Sequence, residues 1–171
     1  MTTKPIHKLR PFLPSDTPAL QDLFAQSIEE LATDSYDADQ RTAWIETAED
    51  MSAFSARLAS GLTLVVGAAG QYQGFATLKD NTLLDLLYVH PHFARQGIAT
   101  ALVDALERIA AARGSSAISV DASDTSLPLF EQRGYIATQR NSRHLGDVWL
   151  SNTTMKKPLA PMAPQTSKTV S

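Results

Sequence analysis

The apolar positions along the chain change their period near its middle. In "DTPALQDLFAQSIEELA" the residues Leu20, Leu23, Phe24, Ser27, Ile28 and Leu31 share one face of a 3.6-residue repeat. That predicts a helix with Asp16 or Thr17 as its N-cap and Pro18 in its first turn. After the polar break "TDSYDAD", a second helical pattern runs around Ala43, Trp44 and Thr47. Met51, Phe54 and Leu58 add a further turn or two, ended by Gly61. The period then shortens to two. "LTLVVGA" and "GFATL" read as strands joined across "AGQYQ", and Asp80-Asn81 turns the chain into a third strand, "LLDLLYV".

The clearest helix follows, from Ile98 to Arg113, with Ile98, Leu102, Leu106 and Ile109 as its stripe and Gly114 as its stop. "AISVDAS" is the next strand. One helix separates it from "LLDLLYV", so the two should be parallel with a right-handed crossover. "LPLFEQRGY" reads as a short helix stopped by Gly134, and "YIATQR" with "VWLSNTTMK" as a closing antiparallel pair. This order predicts an α+β domain built on a mixed sheet, spanning residues 1–157. From Pro158 the segment "PLAPMAPQTSKTVS" has no period, and residues 158–171 are expected to be a disordered tail.

Composition narrows the function. The chain has 171 residues, 43% hydrophobic and 19% charged, as a soluble globular domain does. A net charge of −3 without a basic stripe argues against nucleic-acid and anionic-membrane partners. With no cysteine, disulfides, thiolate metal sites and cysteine nucleophiles are excluded. His90, His92 and His144 lie in loops without metal-ligand spacing, so no metal is expected. The opening "MTTKPIHKLRPFLPSD" has no apolar run of signal-peptide length, and no segment approaches a membrane span, so the expected location is the cytoplasm.

The stretch "YVHPHFARQGIATALV" carries the chemistry. A strand ends at His90-Pro91, a loop with Gly97 follows, and a helix begins. The first amides of that helix lack intrahelical acceptors, and the aligned peptide dipoles favour an anion there. Gly97 permits close approach, Ala99 keeps the first turn narrow and Arg95 adds charge, which together suit a pyrophosphate. A plain crossover that binds nothing has the same outline. The competing nucleotide fingerprints, G-x-x-x-x-G-K-[ST] and G-x-G-x-x-G after a strand, are absent.

The segment "LYVHPHFARQGIATALVDAL" resembles the acyl-coenzyme A signature of the GNAT superfamily of N-acetyltransferases, [QR]-x-x-G-x-[GA] between a strand and a helix. Gly97 and Ala99 fill its last two positions, while Ala94 stands where Gln or Arg is usual. "FEQRGY" is similar to the Phe-Tyr-Glu-x-x-Gly-Phe region of that family, and "YDADQRTAW" and "VWLSNTTMKK" resemble one bacterial branch of it. The resemblance implies a twisted, mostly antiparallel sheet of six to seven strands, helices on both faces, and a splayed parallel pair.

It also implies a function, an acetyl-CoA-dependent transfer to a primary amine of a small molecule or protein by direct attack in a ternary complex. A non-catalytic acyl-CoA sensor is the alternative, and a monomer or homodimer is compatible with either. Leu87, Tyr88 and Val89 would line the pantetheine arm, with the Val89 amide a donor to the thioester carbonyl. Arg95, Gln96, Gly97, Ile98, Ala99 and Thr100 would hold the pyrophosphate, and Phe130 would pack near the pantetheine end. Phe130 stands where the family often has a tyrosine acid, so Tyr88 becomes the candidate donor to the thiolate. Asp85 interrupts an apolar strand and is the candidate base, or else a solvent-facing or turn-paired aspartate. If the strand's faces alternate, Asp85 points with Leu87 and Val89. Tyr36, Trp44 and Asn152 fall on the acceptor side, with capping, core and solvent-facing roles as their alternatives.

Overall fold

A computed structural model describes residues 6–160. Seven strands form one sheet in the order β1-β2-β3-β4-β5-β7-β6. They are β1 (Leu9–Pro11), β2 (Leu62–Val66), β3 (Gly74–Lys79), β4 (Leu83–Val89), β5 (Ala117–Ser123), β6 (Ile136–Leu145) and β7 (Val148–Pro158). Every neighbouring pair is antiparallel except β4 and β5, the parallel pair expected from the sequence. Helices α1 (Thr17–Leu31), α2 (Ala38–Glu46) and α3 (Met51–Ala59) cover one face; α4 (Ile98–Ala112) and α5 (Leu127–Gln132) cover the other.

The two faces bury separate cores. On one, Leu20, Leu23, Phe24 and Ile28 of α1 meet Phe54 and Leu58 of α3 over Val65, Phe75 and Leu86 of the sheet. On the other, Ile98, Leu102, Val103 and Leu106 of α4 pack on Val66, Ala76, Leu84, Ile118 and Met155. The close seating of α4 depends on Gly74, where a Cβ would lie 2.8 Å from Ile98 Cγ2 and 3.1 Å from the Tyr88 carbonyl. That fixes the start of α4 against β3 and β4.

Three local expectations change. The short β1 is an added edge strand. Asp16 is the N-cap residue of α1 by position, but its side chain makes no capping bond to the helix, because the carboxylate is engaged elsewhere. The fold also continues past residue 157: Pro158 pairs with Ala117, and Leu159 donates to the Ser116 carbonyl at 2.9 Å. The rest of the expected tail, residues 161–171, lies outside the described residues.

The Asp16 carboxylate ties β1 to the first turn of α1. Arg10 donates to it twice, at 2.9 and 2.8 Å, Tyr72 Oη at 2.7 Å and the Leu13 amide at 2.8 Å. The Arg10 guanidinium foremost, with the Leu13 and Tyr72 donors, holds the buried carboxyl at about 2. A depressed carboxyl gives stability that is complete above its unfolded value near 4 and lost as pH falls toward 2, here roughly 2 kcal/mol. Asp16→Asn should therefore be destabilised at pH 7 and show a flatter loss of melting temperature between pH 4 and 2. Parallel acid limbs for parent and variant would contradict this.

Candidate active site

The site begins at an irregularity in β4. Thr77 pairs with Leu86 but Leu78 pairs with Leu84, so Asp85 is an extra residue opposite no partner. Such a bulge puts two successive side chains on one side and bends the strand. The expected alternation is therefore corrected. Leu84, Leu87 and Val89 pack toward α4, whereas Asp85, Leu86 and Tyr88 turn toward α1–α3.

The bend also parts the parallel pair. β4 meets β5 only at Leu83 with Ser119 and Leu84 with Val120, although β5 stays paired with β7 as far as Ser123. The His90 amide donates across the β3 side to the Gln73 carbonyl at 2.8 Å. Successive strand amides point to opposite edges, so the Leu87 and Val89 amides face the open gap. Backbone donors aimed into a gap are what an extended polar chain needs in order to add on as a partial strand.

At the end of β4 the loop coils tightly. Arg95 has φ +61° and Gly97 φ +83°, both left-handed. The first helical bond of α4 runs from the Ala101 amide to the Gly97 carbonyl. The amides of Ile98, Ala99 and Thr100 therefore have no intrahelical acceptor and point out of the helix tip. This concave run of donors, at the positive end of a helix dipole, suits a di-anion. Gln96 is turned the other way. Its backbone carbonyl lies 2.8 Å from His7 Nε2 on the outer side of α4 and its side-chain amide donates to the His92 carbonyl at 3.4 Å, which leaves only its backbone N–H to the cradle.

A cavity of about 370 Å³ runs from this loop through the gap. Leu87, Tyr88, Val89, Arg95, Gly97, Ile98, Ala99, Thr100 and Phe130 line it. Phe130 is 1% exposed and stacks edge-on with Tyr135 at 5.0 Å, forming the apolar floor. A second cavity, of about 220 Å³, opens on the α1–α3 face. Tyr36, Trp44 and Asn152 line it, as does Arg57. The two cavities share Trp44, Leu84, Asp85, Tyr88, Asp121 and Ser123 as wall, so they meet through the sheet where β4 and β5 part.

Asp85 sits at that meeting point. Arg57 of α3 grips it with two bonds, Nε to Oδ2 at 2.8 Å and Nη2 to Oδ1 at 3.0 Å. A carboxylate has about four lone-pair sites; Arg57 takes two and leaves two for a water or an amine. Tyr88 lies beside it in an aromatic cluster, 4.5 Å from the Phe24 ring and 6.3 Å from Trp44. Burial pushes the Tyr88 phenol up to about 12, against the opposing pull of the Trp44 indole and the Arg57 charge. It stays protonated at any working pH.

Other residues frame the second cavity. Tyr36 is 4% exposed; its hydroxyl donates to the Ser151 carbonyl at 2.7 Å and accepts from the Asp124 amide at 2.9 Å. It bolts the segment before α2 to β7 and the end of β5, so its hydroxyl is already engaged. Gln40 reinforces the bolt, donating to the Trp149 carbonyl at 2.8 Å. Asn152 accepts from Asn141 at 2.9 Å. Arg57 and Arg143, both in the wall, carry no signal in their own stretches of sequence that marks them as site residues. No group of acidic and histidine side chains with metal-binding geometry occurs among the described residues.

Comparison with known proteins agrees with this geometry. The family described as "Acetyltransferase (GNAT) domain" matches residues 32–159. The chain belongs to the GNAT acetyltransferases and is an acyltransferase enzyme. A solved GCN5-related N-acetyltransferase from Rhodopseudomonas palustris is 43% identical with a TM-score of 0.89, covering 93% of this chain and 99% of its own. The curated "Uncharacterized N-acetyltransferase YafP" of Escherichia coli K12 is 28% identical over 149 residues, covering 87% of this chain and 94% of that protein. PaiA N-acetyltransferase of Thermoplasma acidophilum, solved with coenzyme A, shares the fold at 16% identity and a TM-score of 0.73, covering 90% and 99%. No helix among the described residues is long and apolar enough to cross a membrane.

Proposed function

We propose that the protein transfers an acetyl group from acetyl-CoA to a primary amine by direct attack in a ternary complex. The observation that carries this reading is the pair of cavities joined through the sheet at Asp85 and Tyr88. One has an amide cradle and a splayed strand edge, as an extended thioester with a diphosphate needs. The other offers a polar pocket for the nucleophile. The coenzyme A in the Thermoplasma protein supports assigning the first cavity to acetyl-CoA.

The roles follow from position. Amides from Arg95 to Thr100 hold the pyrophosphate, and Leu87 and Val89 pair with the pantetheine. Phe130 packs against its apolar length. The Val89 amide donates to the thioester oxygen, a bond that strengthens as the carbonyl becomes an oxyanion. Asp85, through its free lone pairs, takes a proton from the acceptor ammonium directly or by one water. The neutral nitrogen attacks the carbonyl carbon, the C–N bond forms, the C–S bond breaks, and the proton that the nitrogen then sheds passes through water to the departing thiolate.

Tyr88 faces the departing sulfur. Full proton transfer from a phenol near 12 to a cysteine-like thiolate near 8.5 would be uphill by about 5 kcal/mol. Tyr88 therefore donates a hydrogen bond, and water supplies the proton. Tyr88→Phe should lower kcat roughly tenfold, the value of about one such bond in the transition state, and leave the pH profile unmoved. A shifted basic limb would assign Tyr88 a true acid role.

The proposal is tested by titrating acetyl-CoA calorimetrically and then reading free thiol with a panel of amines. Saturable binding followed by amine-dependent thiol release is expected. Binding with no release from any amine would leave a cofactor-holding module and end the transferase reading.

A further inference from the structure

The acceptor cavity carries an unused cation. Arg143, on β6 opposite Leu150, lines its wall and is exposed. No described carboxylate lies within ion-pair distance of it. Its neighbours differ: Arg57 is held by Asp85, Arg140 by Asp124, and Arg41 by Glu29. Asp121, the other acid in the wall, accepts from Thr154 at 2.6 Å. The inner end of the cavity is therefore acidic and the outer end holds one free guanidinium.

Size and surroundings sharpen this. A volume of about 220 Å³ is many times the roughly 10–15 Å³ that one water needs on the same measure, enough for an acceptor of amino-acid size. Asp85 and Arg143 stand three ladder spacings apart across the sheet, about 14 Å, and Arg143 lies four residues, about 13 Å, further along it than Gln139, the β6 residue level with Asp121. Both side chains reach into the one cavity, and the acceptor bridges the distance they leave. Beyond Thr47 and Leu145 the cavity continues into an open groove with Asp39, Glu46 and Asp147 and no basic residue in its lining. An anion in the combined space has one seat.

Resting on the transferase reading, we infer that the acceptor is a small amine that also bears a carboxylate, with Arg143 as the residue that selects it. The planar guanidinium accepts a carboxylate with two parallel bonds, which fixes direction as well as charge. That turns the amine end inward, toward Asp85 and the gap.

Matched pairs test this: amino acids against the same amines lacking the carboxylate, with thiol release measured for the parent, Arg143→Gln and Arg143→Lys. The parent should favour the carboxylated member at least tenfold in kcat/KM, mostly through KM. Arg143→Gln should bring the ratio of the pair toward one, and Arg143→Lys should retain part of it. Equal or better use of uncharged or dicationic amines by the parent would overturn the inference and leave the transferase intact. So would an Arg143→Gln loss equal for both members of a pair. Thiol release from no amine at all would remove the transferase reading and this one together.

Discussion

Gly97→Glu is expected to weaken acetyl-CoA binding by on the order of a hundredfold or more, a larger loss than any other single change in the cradle. Space is not the reason, since a Cβ at Gly97 would meet nothing nearer than His7 Nε2 at 3.7 Å. The dihedral is. At φ +83° a side chain costs about 1–2 kcal/mol, and the loop can relieve that cost only by rotating the amides out of their concave arrangement. The carboxylate then adds like-charge repulsion. Two phosphate charges about 5 Å away, at an effective dielectric near 20, oppose it by several kcal/mol before solvent screening. About 3 kcal/mol in total survives a generous discount, which is the hundredfold. Gly97→Ala separates the two causes, because it keeps the strain and omits the charge; a loss of about tenfold or less is expected. Calorimetric titration gives both constants, and thermal melting shows that both variants fold. Parental affinity in Gly97→Glu would remove the cradle from the binding site.

The cradle was legible in the sequence because its determinants are local. A strand, a glycine and an amphipathic helix in immediate succession place consecutive amides at one tip, whatever the distant parts of the chain do. The same holds for α1 and α4, whose stripes of Leu20, Leu23, Phe24 and Ile28, and of Ile98, Leu102 and Leu106, are the buried faces observed. The three-residue β1 is too short to show a period.

The side of the site facing α1–α3 was less legible, because it is assembled from remote segments. Asp85 was singled out for interrupting an apolar strand, but its direction was misread. One unpaired residue in the register with β3 reverses the faces on either side of it, and nothing within "LLDLLYV" announces the bulge. Arg57 is 28 positions from Asp85, on a helix whose visible pattern is Phe54 and Leu58. Arg143 belongs to a polar strand in which no residue stands out until β6 is laid beside β7. Tyr36 lines the cavity on the α1–α3 face, but its hydroxyl is spent on Ser151 and Asp124. Asp16 shows the same limit at a smaller scale: a good capping residue by position, it is recruited by Arg10 and Tyr72 instead.

Asp85→Asn is expected to lower kcat/KM by on the order of a hundredfold at pH 7, the lower end of what a positioned base contributes, and by progressively less as pH rises. A lysine-like amine with pKa about 10.4 spends roughly 4.6 kcal/mol to be neutral at pH 7, and a base at the reaction centre offsets part of that. As pH climbs toward the amine's own value the free base is already present, so the advantage of the carboxylate fades. The complication is Arg57. An asparagine presents an NH₂ to one of the two guanidinium donors that the carboxylate accepted at 2.8 and 3.0 Å, so α3 loosens from β4 as well. Arg57→Met isolates that effect, for it breaks the same tie and keeps the carboxylate. If Asp85 serves as the base, the ratio of Asp85→Asn to parent rises with pH, while the ratio of Arg57→Met to parent is level. If Asp85 only anchors the bulge, the two variants lose activity by similar factors at every pH, and the proton must leave the amine through another group in the wall, of which Asp121 is the nearest in kind.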